Sequence, residues 1–240
     1  IPVVLIDRKI DTEHWTSYIG ADNYQIGKEA GVYIARTLNT KGNVAVMRGW
    51  NGSTSDKERY TGFIDAINNY PDIRIVSERW GNFLQDEAKK QMTDIFKENT
   101  DIDLIFALND PMALGAYEAA LNYSGRIPFI VGIDALPGKG GGIENIEKGL
   151  IDASFIYPTG GDQVVSLAMN ILQGHPFKRE NILYTAVVDK NNVRVVQLQV
   201  NQLLNRQKKI SETNQLLSKK VAQYSNQQTL IYGTLIALMI

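Results

Sequence analysis

The stretch Leu104-Ile105-Phe106-Ala107-Leu108-Asn109-Asp110-Pro111 shows how this chain is built. Its first five residues are apolar, which is typical of a strand covered on both faces of a sheet. A polar pair follows at the carboxyl end of that strand. Asp110 is a predicted helix cap with Pro111 at the first helical position, where proline has no hydrogen bond to lose. The stretch therefore predicts a strand, a polar strand end and a helix in direct succession.

The same pattern recurs in both directions along the chain. Further apolar runs predict buried strands over Val3–Ile6, Val44–Met47, Ile73–Val76, Phe129–Ile133 and Ala153–Ile156. Helical spacing of apolar residues predicts helices over Tyr24–Leu38, Ser55–Asn69, Gln85–Glu98, Asp110–Tyr123 and Asp162–Leu172. Ser55 and Glu58 form a predicted capping box at the start of the second helix. Strands that alternate with helices of this length predict an α/β fold with a parallel, doubly wound sheet.

The composition argues against several classes of protein. The 240 residues include 25 Lys and Arg against 26 Asp and Glu, so the formal net charge is −1. There is no cysteine, and His14 and His175 are the two histidines, which disfavours disulfide scaffolds, zinc sites and cysteine nucleophiles. The balanced charge disfavours a nucleic-acid partner. We therefore expect neither a metal, nor a cofactor, nor catalytic residues in this chain.

Hydrogen-bonding side chains follow the predicted strands at their carboxyl ends, which is where open α/β sheets bind ligands. They are Asp7, Arg8, Arg48, Asn109, Asp110, Asp134 and Tyr157. Carboxylates accept hydrogen bonds, guanidinium groups donate several, and aromatic faces pack against apolar C–H groups. This mixture favours a neutral polyhydroxylated ligand such as a sugar. The alternative for each residue alone is a helix cap or a surface ion pair, and for Asp110 a cap is the expected role.

Five motifs carry a resemblance to a known family. They are IPVVLIDR at 1–8, GADN at 20–23, GSTSDKERYTGF at 52–63, ALNDPMALGA at 107–116 and VGID at 131–134. In order and spacing they resemble the ribose-type periplasmic sugar-binding proteins over residues 1–188. The effector domains of Lac-type repressors share that fold. The resemblance implies an α/β protein of two lobes that holds a sugar between them.

The resemblance also implies the ligand contacts. Family sugar contacts correspond to Asp7, Arg8, Arg59, Phe83, Asn109 and Asp134. The alternatives are a solvated helix residue for Arg59 and a core aromatic for Phe83. Tyr157 stands where the family has glutamine, so the identity of the sugar does not carry over, and fructose and ribose are the first candidates.

By the same resemblance the chain crosses between two lobes near 22–23, 157–158 and 184–185. We expect a sensor domain over 1–188, with a complete second lobe at 23–157 and a partial first lobe at 1–22 and 158–183. Both ends of the chain look cut, since the first strand opens without any preceding segment. We therefore expect residues 1–240 alone to bind sugar weakly or not at all.

A long helical segment follows the predicted domain over 193–228. Its inner positions step by alternating three and four residues, through Val200, Leu203, Gln207, Ile210, Asn214, Leu217, Val221, Tyr224, Gln228 and Ile231. This spacing predicts a coiled coil and hence a homodimer, the alternative being one amphipathic helix folded back on the lobes. The apolar residues 229–240 would rise about 18 Å as a helix, against about 30 Å for a bilayer core. They predict either the start of a transmembrane helix or a buried helix end.

The order of sugar-binding domain, coiled coil and membrane span is typical of a receptor. It resembles the extracytoplasmic sensor half of bacterial hybrid two-component histidine kinases, which implies a periplasmic domain anchored in the inner membrane. Alternatives are a soluble sugar receptor of a transporter and a sugar-responsive repressor domain. An enzyme is disfavoured, because the Gly138–Gly142 run lacks phosphate-loop spacing and neither histidine lies in a recognisable triad.

Overall fold

The computed structural model describes residues 1–10, 12–98, 101–123 and 126–238. The chain divides into two compact units, Ile1–Arg194 and Val195–Ile240. The strands are β1 (Val4–Ile6), β2 (Ser17–Ala21), β3 (Lys41–Arg48), β4 (Asp72–Trp80), β5 (Leu104–Ala107), β6 (Phe129–Asp134), β7 (Ala153–Ile156), β8 (Glu180–Leu183) and β9 (Val187–Asp189). The helices are α1 (Asn23–Thr37), α2 (Thr54–Ile67), α3 (Gln85–Lys97), α4 (Asp110–Ala120), α5 (Gly142–Glu147), α6 (Gly161–Leu172) and α7 (Val193–Leu238).

The first unit contains two sheets. A three-stranded parallel sheet has the order β1-β2-β8. A six-stranded sheet has the order β4-β3-β5-β6-β7-β9, in which the strands are parallel except for the antiparallel pair β7 and β9. Apolar residues of β3, β5 and β6 form the core of this larger sheet, and all of β5 is buried. The predicted α/β class with parallel sheets is confirmed.

The chain passes between the two sheets at three short connections. These lie between β2 and α1, between β7 and α6, and between β8 and β9. Helices α1 and α2 pack on each other beside the larger sheet, as do α3 and α4, while α6 packs on β1. The carboxyl ends of β1, β5, β6 and β7 are thereby brought to one region, where the predicted polar strand ends are found.

Helices α1 and α2 approach each other closely at two glycines. A Cβ at Gly27 would lie 1.9 Å from the carbonyl oxygen of Arg59, and one at Gly62 would lie 2.0 Å from that of Tyr24. Any larger residue would therefore push the helices apart. This contact holds the start of α1 against the turn of α2 that carries Arg59.

The predicted helices are present, with ends within about three residues of those expected. Two predicted caps are wrong. Ser53 caps α2 instead of Ser55, and Asn109 caps α4 instead of Asp110; each accepts the N–H three residues further on. A capping residue needs extended backbone, which Ser53 and Asn109 have. Asp110 lies inside the first turn, so its carboxylate is available for another partner.

Three strands, β2, β8 and β9, were not predicted from the residue pattern, and the first two show the reason. Strand β2 contains the polar residue Ser17 and Gly20 between apolar residues, yet all of it is buried. The hydroxyl of Ser17 is satisfied by the carbonyl oxygen of Lys178 at 2.8 Å, which lies far away in sequence. Strand β8 pairs with β2 and has no continuous apolar run. Both strands depend on long-range pairing, which a local pattern does not reveal.

Helix α7 makes up nearly all of the second unit and extends to Leu238. It confirms the long helix predicted over 193–228. The predicted start of a membrane span at 229–240 ends outside the described residues, which stop at 238. Within the described part of the chain, no helix combines the length and the apolar character needed to cross a bilayer.

Candidate functional site

A cavity of about 260 Å³ lies between the two sheets of the first unit. It is lined by Asp7, Arg8, Ser55, Arg59, Phe83, Asn109, Asp134 and Tyr157. All seven residues predicted as ligand contacts are therefore brought together, although they span 151 positions of sequence from 7 to 157. Ser55, which was predicted as a helix cap, is the additional lining residue. The volume suits a small ligand.

Other cavities of this unit also contain polar residues, but none of those described next brings Asp7, Asn109 and Asp134 together. One of about 460 Å³ lies between α1 and the segment from Ile182 to Val187. One of about 590 Å³ lies at the amino ends of β5 and β6, away from the ends that bind ligands in open sheets. A third, of about 270 Å³, adjoins the candidate site and shares Asp7 and Arg8 with it.

Arg59 is the central cation of the site and is 5% exposed. Its Nε donates to Asn23 Oδ1 at 2.9 Å, and its Nη1 donates to the carbonyl oxygen of Leu108 at 2.6 Å. Burial lowers the pKa of this guanidinium, against the influence of the nearby carboxylates. Because two bonds from different elements hold the group, it has a fixed orientation toward the cavity.

Asp134 faces Arg59 across 3.8 Å between Oδ1 and Nη1. Burial raises the pKa of Asp134 to about 6, and the positive charge of Arg59 opposes that rise. The two side chains form a charge pair too long for a direct hydrogen bond. Each can therefore bind a ligand group, with the carboxylate accepting and the guanidinium donating.

Tyr157 connects the two sides of the cavity. Its hydroxyl donates to Asp7 Oδ1 at 2.6 Å, and its ring lies 4.8 Å from the guanidinium carbon of Arg59. Burial and the hydrogen bond to Asp7 raise the pKa of Tyr157. Asp7 follows β1 of the small sheet, whereas Arg59 lies beside the large sheet. The Tyr157 side chain thus links the two sides of the cavity through a hydroxyl and an aromatic ring. The glutamine that the resembling family has at this position would offer an amide instead.

Arg8 differs from the other cation of the site in its exposure. Its side chain is 71% exposed, and its Nε lies 3.6 Å from Asp7 Oδ2. A surface ion pair of this kind contributes little to stability, since solvent screens it. The guanidinium can therefore reorient toward a ligand at small cost.

Phe83 and Asn109 form one wall of the cavity. Asn109 Nδ2 donates to the carbonyl oxygen of Phe83 at 3.1 Å, while its Oδ1 accepts from Met112 N at 3.0 Å. An amide nitrogen has two N–H groups and its oxygen two lone pairs, so Asn109 keeps capacity for a ligand. Below the ring, a Cβ at Gly49 would lie 2.0 Å from the Phe83 ring. The absence of a side chain at Gly49 thus sets the position of the aromatic wall.

Strained backbone is concentrated at this cavity. Asp7, Phe83 and Asp134 have φ values of 70°, 60° and 128°. Such values cost of order 1–3 kcal/mol each for residues with a side chain, and they occur preferentially at functional sites. All three side chains line the same cavity. Their unusual backbone aims them there.

The site contains two carboxylates, Asp7 and Asp134, and two guanidinium groups, Arg8 and Arg59, so its formal charges balance. A balanced site with an aromatic wall fits a neutral ligand with several hydroxyl groups. Among the described residues no group of three or more His, Asp or Glu side chains is placed to hold a metal ion.

Sequence reasoning missed the residues that support the lining. Asn23 holds Arg59, and Ser154 lies beside Asp110 under the Asp134 strand end. Asn23 belongs to the motif at 20–23, which was the available signal. Ser154 is the polar residue of the otherwise apolar strand β7, which was a weak signal of a structural role. Its hydrogen bond to the distant Asp110 explains why a polar residue stands there.

Two curated bacterial proteins show the relation at the level of sequence. The galactofuranose-binding protein YtfQ of Escherichia coli is 35% identical over 159 residues, which are 63% of this chain and 49% of that protein. The ribose import binding protein RbsB of Bacillus subtilis is 32% identical over 134 residues, 56% of this chain and 43% of that protein. The chain spans about half the length of these curated relatives.

Solved structures show the relation at the level of fold. The fructose-binding periplasmic domain of a hybrid two-component system superimposes with a TM-score of 0.85 at 45% identity, covering 89% of this chain and 72% of that one. A solute-binding protein from Bacillus halodurans with bound myo-inositol gives 0.75 at 26% identity, covering 82% and 69%. The fold is therefore the two-lobed α/β fold that the resemblance implied.

The family relation extends over most of the chain. Residues 1–176 match the family described as the periplasmic binding protein domain. These residues contain all five motifs and every residue that lines the candidate cavity. The chain belongs to the periplasmic binding protein domain family.

Proposed function

We propose that this chain is the extracytoplasmic sensor region of a membrane receptor of the hybrid two-component histidine kinase type. The main observation behind the proposal is the cavity between the two sheets. It is lined by equal numbers of carboxylate and guanidinium groups and by the aromatic ring of Phe83. The 45% identity to a fructose-binding domain of such a system supports it. In the complete receptor this region contributes to ligand binding and catalyses no reaction, and any kinase activity belongs to other parts of the receptor.

The proposed ligand is a neutral monosaccharide, with fructose as the first candidate and ribose as the second. Asp7 and Asp134 accept hydrogen bonds from sugar hydroxyls, and Arg8, Arg59 and Asn109 donate to their oxygens. Phe83 packs on an apolar C–H face of the ring. Tyr157 takes part through its hydroxyl or its ring. No metal, cofactor or nucleic acid is required by this assignment.

Signal transfer follows from the position of the ligand between lobes. We assign 1–188 to the sensor domain, with residues 23–157 as one lobe and 1–22 with 158–183 as part of the other. A sugar that binds one arrangement of the lobes better than another shifts the receptor toward it. Coupling of about 1–3 kcal/mol is sufficient for a useful switch.

The output element is the helix α7, which we propose forms a parallel coiled coil with a second copy. Leu203, Ile210, Leu217 and Val221, at its inner positions, are each more than half exposed on the single chain. Their spacing buries them against an identical helix. Gln207 and Asn214 at inner positions lower stability but fix the register. The helix then enters the membrane at 229–240, which anchors a periplasmic domain in the inner membrane.

The direct test is sugar binding by the complete receptor. We expect isothermal titration calorimetry to detect D-fructose binding, and Asp134→Ala or Asn109→Ala to abolish the sugar response. Asp65→Ala, on the outer surface of α2, is the control and is expected to respond normally. An unchanged response in Asp134→Ala would refute the assigned site.

A second candidate is the soluble sugar-binding component of a transporter, because curated relatives are named as import binding proteins. The oligomeric state separates the two. The receptor predicts a dimer in light scattering that dissociates when Leu203 and Leu217 are both replaced by lysine. A monomer with unchanged fructose affinity would favour the transporter component.

A further inference from the structure

The turn after β6 has an unusual backbone at two successive residues. Asp134 has a φ of 128° and Ala135 a φ of 44°. A side chain makes both values unfavourable, so the surroundings must hold the turn in place. This turn directs the Asp134 carboxylate to the cavity. The groups that hold this turn in place therefore also determine the distance and orientation between Asp134 and Arg59.

The turn is held by the buried carboxylate of Asp110, which is 4% exposed. Its Oδ2 accepts from Ala135 N at 2.7 Å, and its Oδ1 accepts from the hydroxyl of Ser154 at 2.6 Å. Ser154 Oγ also accepts from Ala135 N, at 3.0 Å. The three groups form a closed triangle beneath the turn.

The surrounding chain leaves room for this carboxylate. A Cβ at Gly132 would lie 2.2 Å from Asp110 Oδ1, and one at Gly142 would lie 2.0 Å from Oδ2. Two neighbouring elements, β6 and α5, thus lack side chains at the positions that face the carboxylate. Asp110 does not line the cavity, so a ligand would not touch it.

The geometry assigns Asp110 to a positioning role: by binding Ala135 N and Ser154 it holds the strained turn that places Asp134 opposite Arg59. Its effect on the ligand passes through Asp134. This assignment rests on the proposed sugar site, since it concerns the affinity of that site. It differs from the helix cap predicted from sequence, a role that Asn109 fills.

The protonation state of Asp110 indicates which substitutions at this position can test the positioning role. Burial, together with the nearby charge of Asp134, raises the pKa of Asp110 to about 8, although the hydrogen bonds from Ser154 and Ala135 and the charge of Arg59 oppose the rise. At neutral pH the group is therefore mostly an uncharged acid. In that state Oδ1–H donates to Ser154 Oγ across the same short contact, and Oδ2 still accepts from Ala135 N. An asparagine side chain has nearly the same shape as the protonated aspartate, and its amide also offers an acceptor oxygen and a donor nitrogen. An alanine side chain offers neither group.

Fructose affinities of three variants of the complete receptor test the assignment. Asp110→Ala is expected to weaken D-fructose binding by about tenfold or more, and Asp110→Asn to recover most of that loss. The matched control is Asp152→Ala, because Asp152 Oδ2 holds Ile130 N at 2.8 Å at the opposite end of the same strand. It removes a similar bond and is expected to leave affinity within about twofold.

A double substitution separates positioning from general damage. In an Asp134→Asn background, measured at high fructose concentration, Asp110→Ala is expected to cause little further loss. Equal losses in both backgrounds would overturn the assignment, as would wild-type affinity in Asp110→Ala.

Hydrogen exchange at Ala135 gives a readout that needs neither sugar nor a folded alanine variant. We expect exchange of this amide to be slow in the unmodified receptor and to stay slow in Asp110→Asn, because the asparagine oxygen can still accept from Ala135 N. Fast exchange in the unmodified receptor would overturn the assignment. If exchange is slow but no fructose binds, the sugar proposal fails and the structural support of the turn by Asp110 stands.

Discussion

The two sides of the cavity are built in different ways. On the side of the six-stranded sheet, Arg59 is 5% exposed and Asn109 is 7% exposed, and the side chain of each makes two hydrogen bonds within the protein. On the side of the three-stranded sheet, the side chains of Asp7 and Arg8 are 40% and 71% exposed. One side presents fixed groups and the other presents adaptable ones.

The strands that lead to these residues also differ in how deeply they are buried. Strand β5, which leads to Asn109, is wholly buried, whereas Ile6 at the end of β1 is 46% exposed. Fixed groups lose little entropy when a ligand binds, while adaptable groups must first be ordered. We therefore expect ligand affinity to depend mainly on the six-stranded side, and the predictions below test that difference.

The largest effect is expected from the two arginines. Arg59→Ala leaves Asp134 without its cation and removes two buried bonds, so it should weaken fructose binding by about 100-fold and cost about 3 kcal/mol of unfolding free energy. Arg8→Ala is the matched control on the exposed side, with a loss of about tenfold at most and stability nearly unchanged. Calorimetry and urea unfolding measure both. Equal losses for the two variants would remove the distinction between the two sides.

The next effect concerns the aromatic wall. Gly49→Ala places a methyl group within 2.0 Å of the Phe83 ring, so the ring must move out of its position. We expect fructose binding to weaken by about tenfold, with a smaller loss of stability than for Arg59→Ala. Gly161→Ala is the control, because a Cβ there meets nothing within 4 Å. If Gly49→Ala binds normally, the ring is not part of the fixed side.

Another effect is expected in the dependence of stability on pH. The pKa values of Asp134 and Asp110 are raised to about 6 and about 8, mainly by burial, whereas an unfolded aspartate has about 3.9. The folded state then holds protons that the unfolded state has lost, so stability falls as pH rises through this range. By linkage, these two shifts correspond to a fall of several kcal/mol between about pH 5 and about pH 8, and we expect a flatter profile in Asp110→Asn. An unchanged slope in that variant would contradict the raised pKa of Asp110.

The fixed side is also the part that sequence predicted best. The buried strands Val44–Met47 and Leu104–Leu108 were evident because continuous apolar runs report burial on both faces. Asp7, Asn109, Asp134 and Tyr157 were predictable because the ends of parallel strands meet at one edge of a sheet, whereas Arg59 and Phe83 were predicted from the family resemblance. Asp110 was assigned wrongly because its partners Ala135 and Ser154 are far away in sequence. Strand β2 was missed for the same reason, since its polar Ser17 is satisfied by a distant carbonyl.

The smallest effect is expected from the contact that joins the two sides. Tyr157→Phe removes the hydroxyl that donates to Asp7 Oδ1 at 2.6 Å but keeps the ring beside Arg59. Losing one hydrogen bond to a partly exposed, adaptable group should weaken fructose binding by about threefold. Tyr33→Phe, which removes a hydroxyl 3.3 Å from Asp189 Oδ2, is the control and should not change binding. A loss as large as that of Arg59→Ala would mean that Tyr157 fixes Asp7 as firmly as Asn23 and Leu108 fix Arg59, and that both sides of the cavity are rigid.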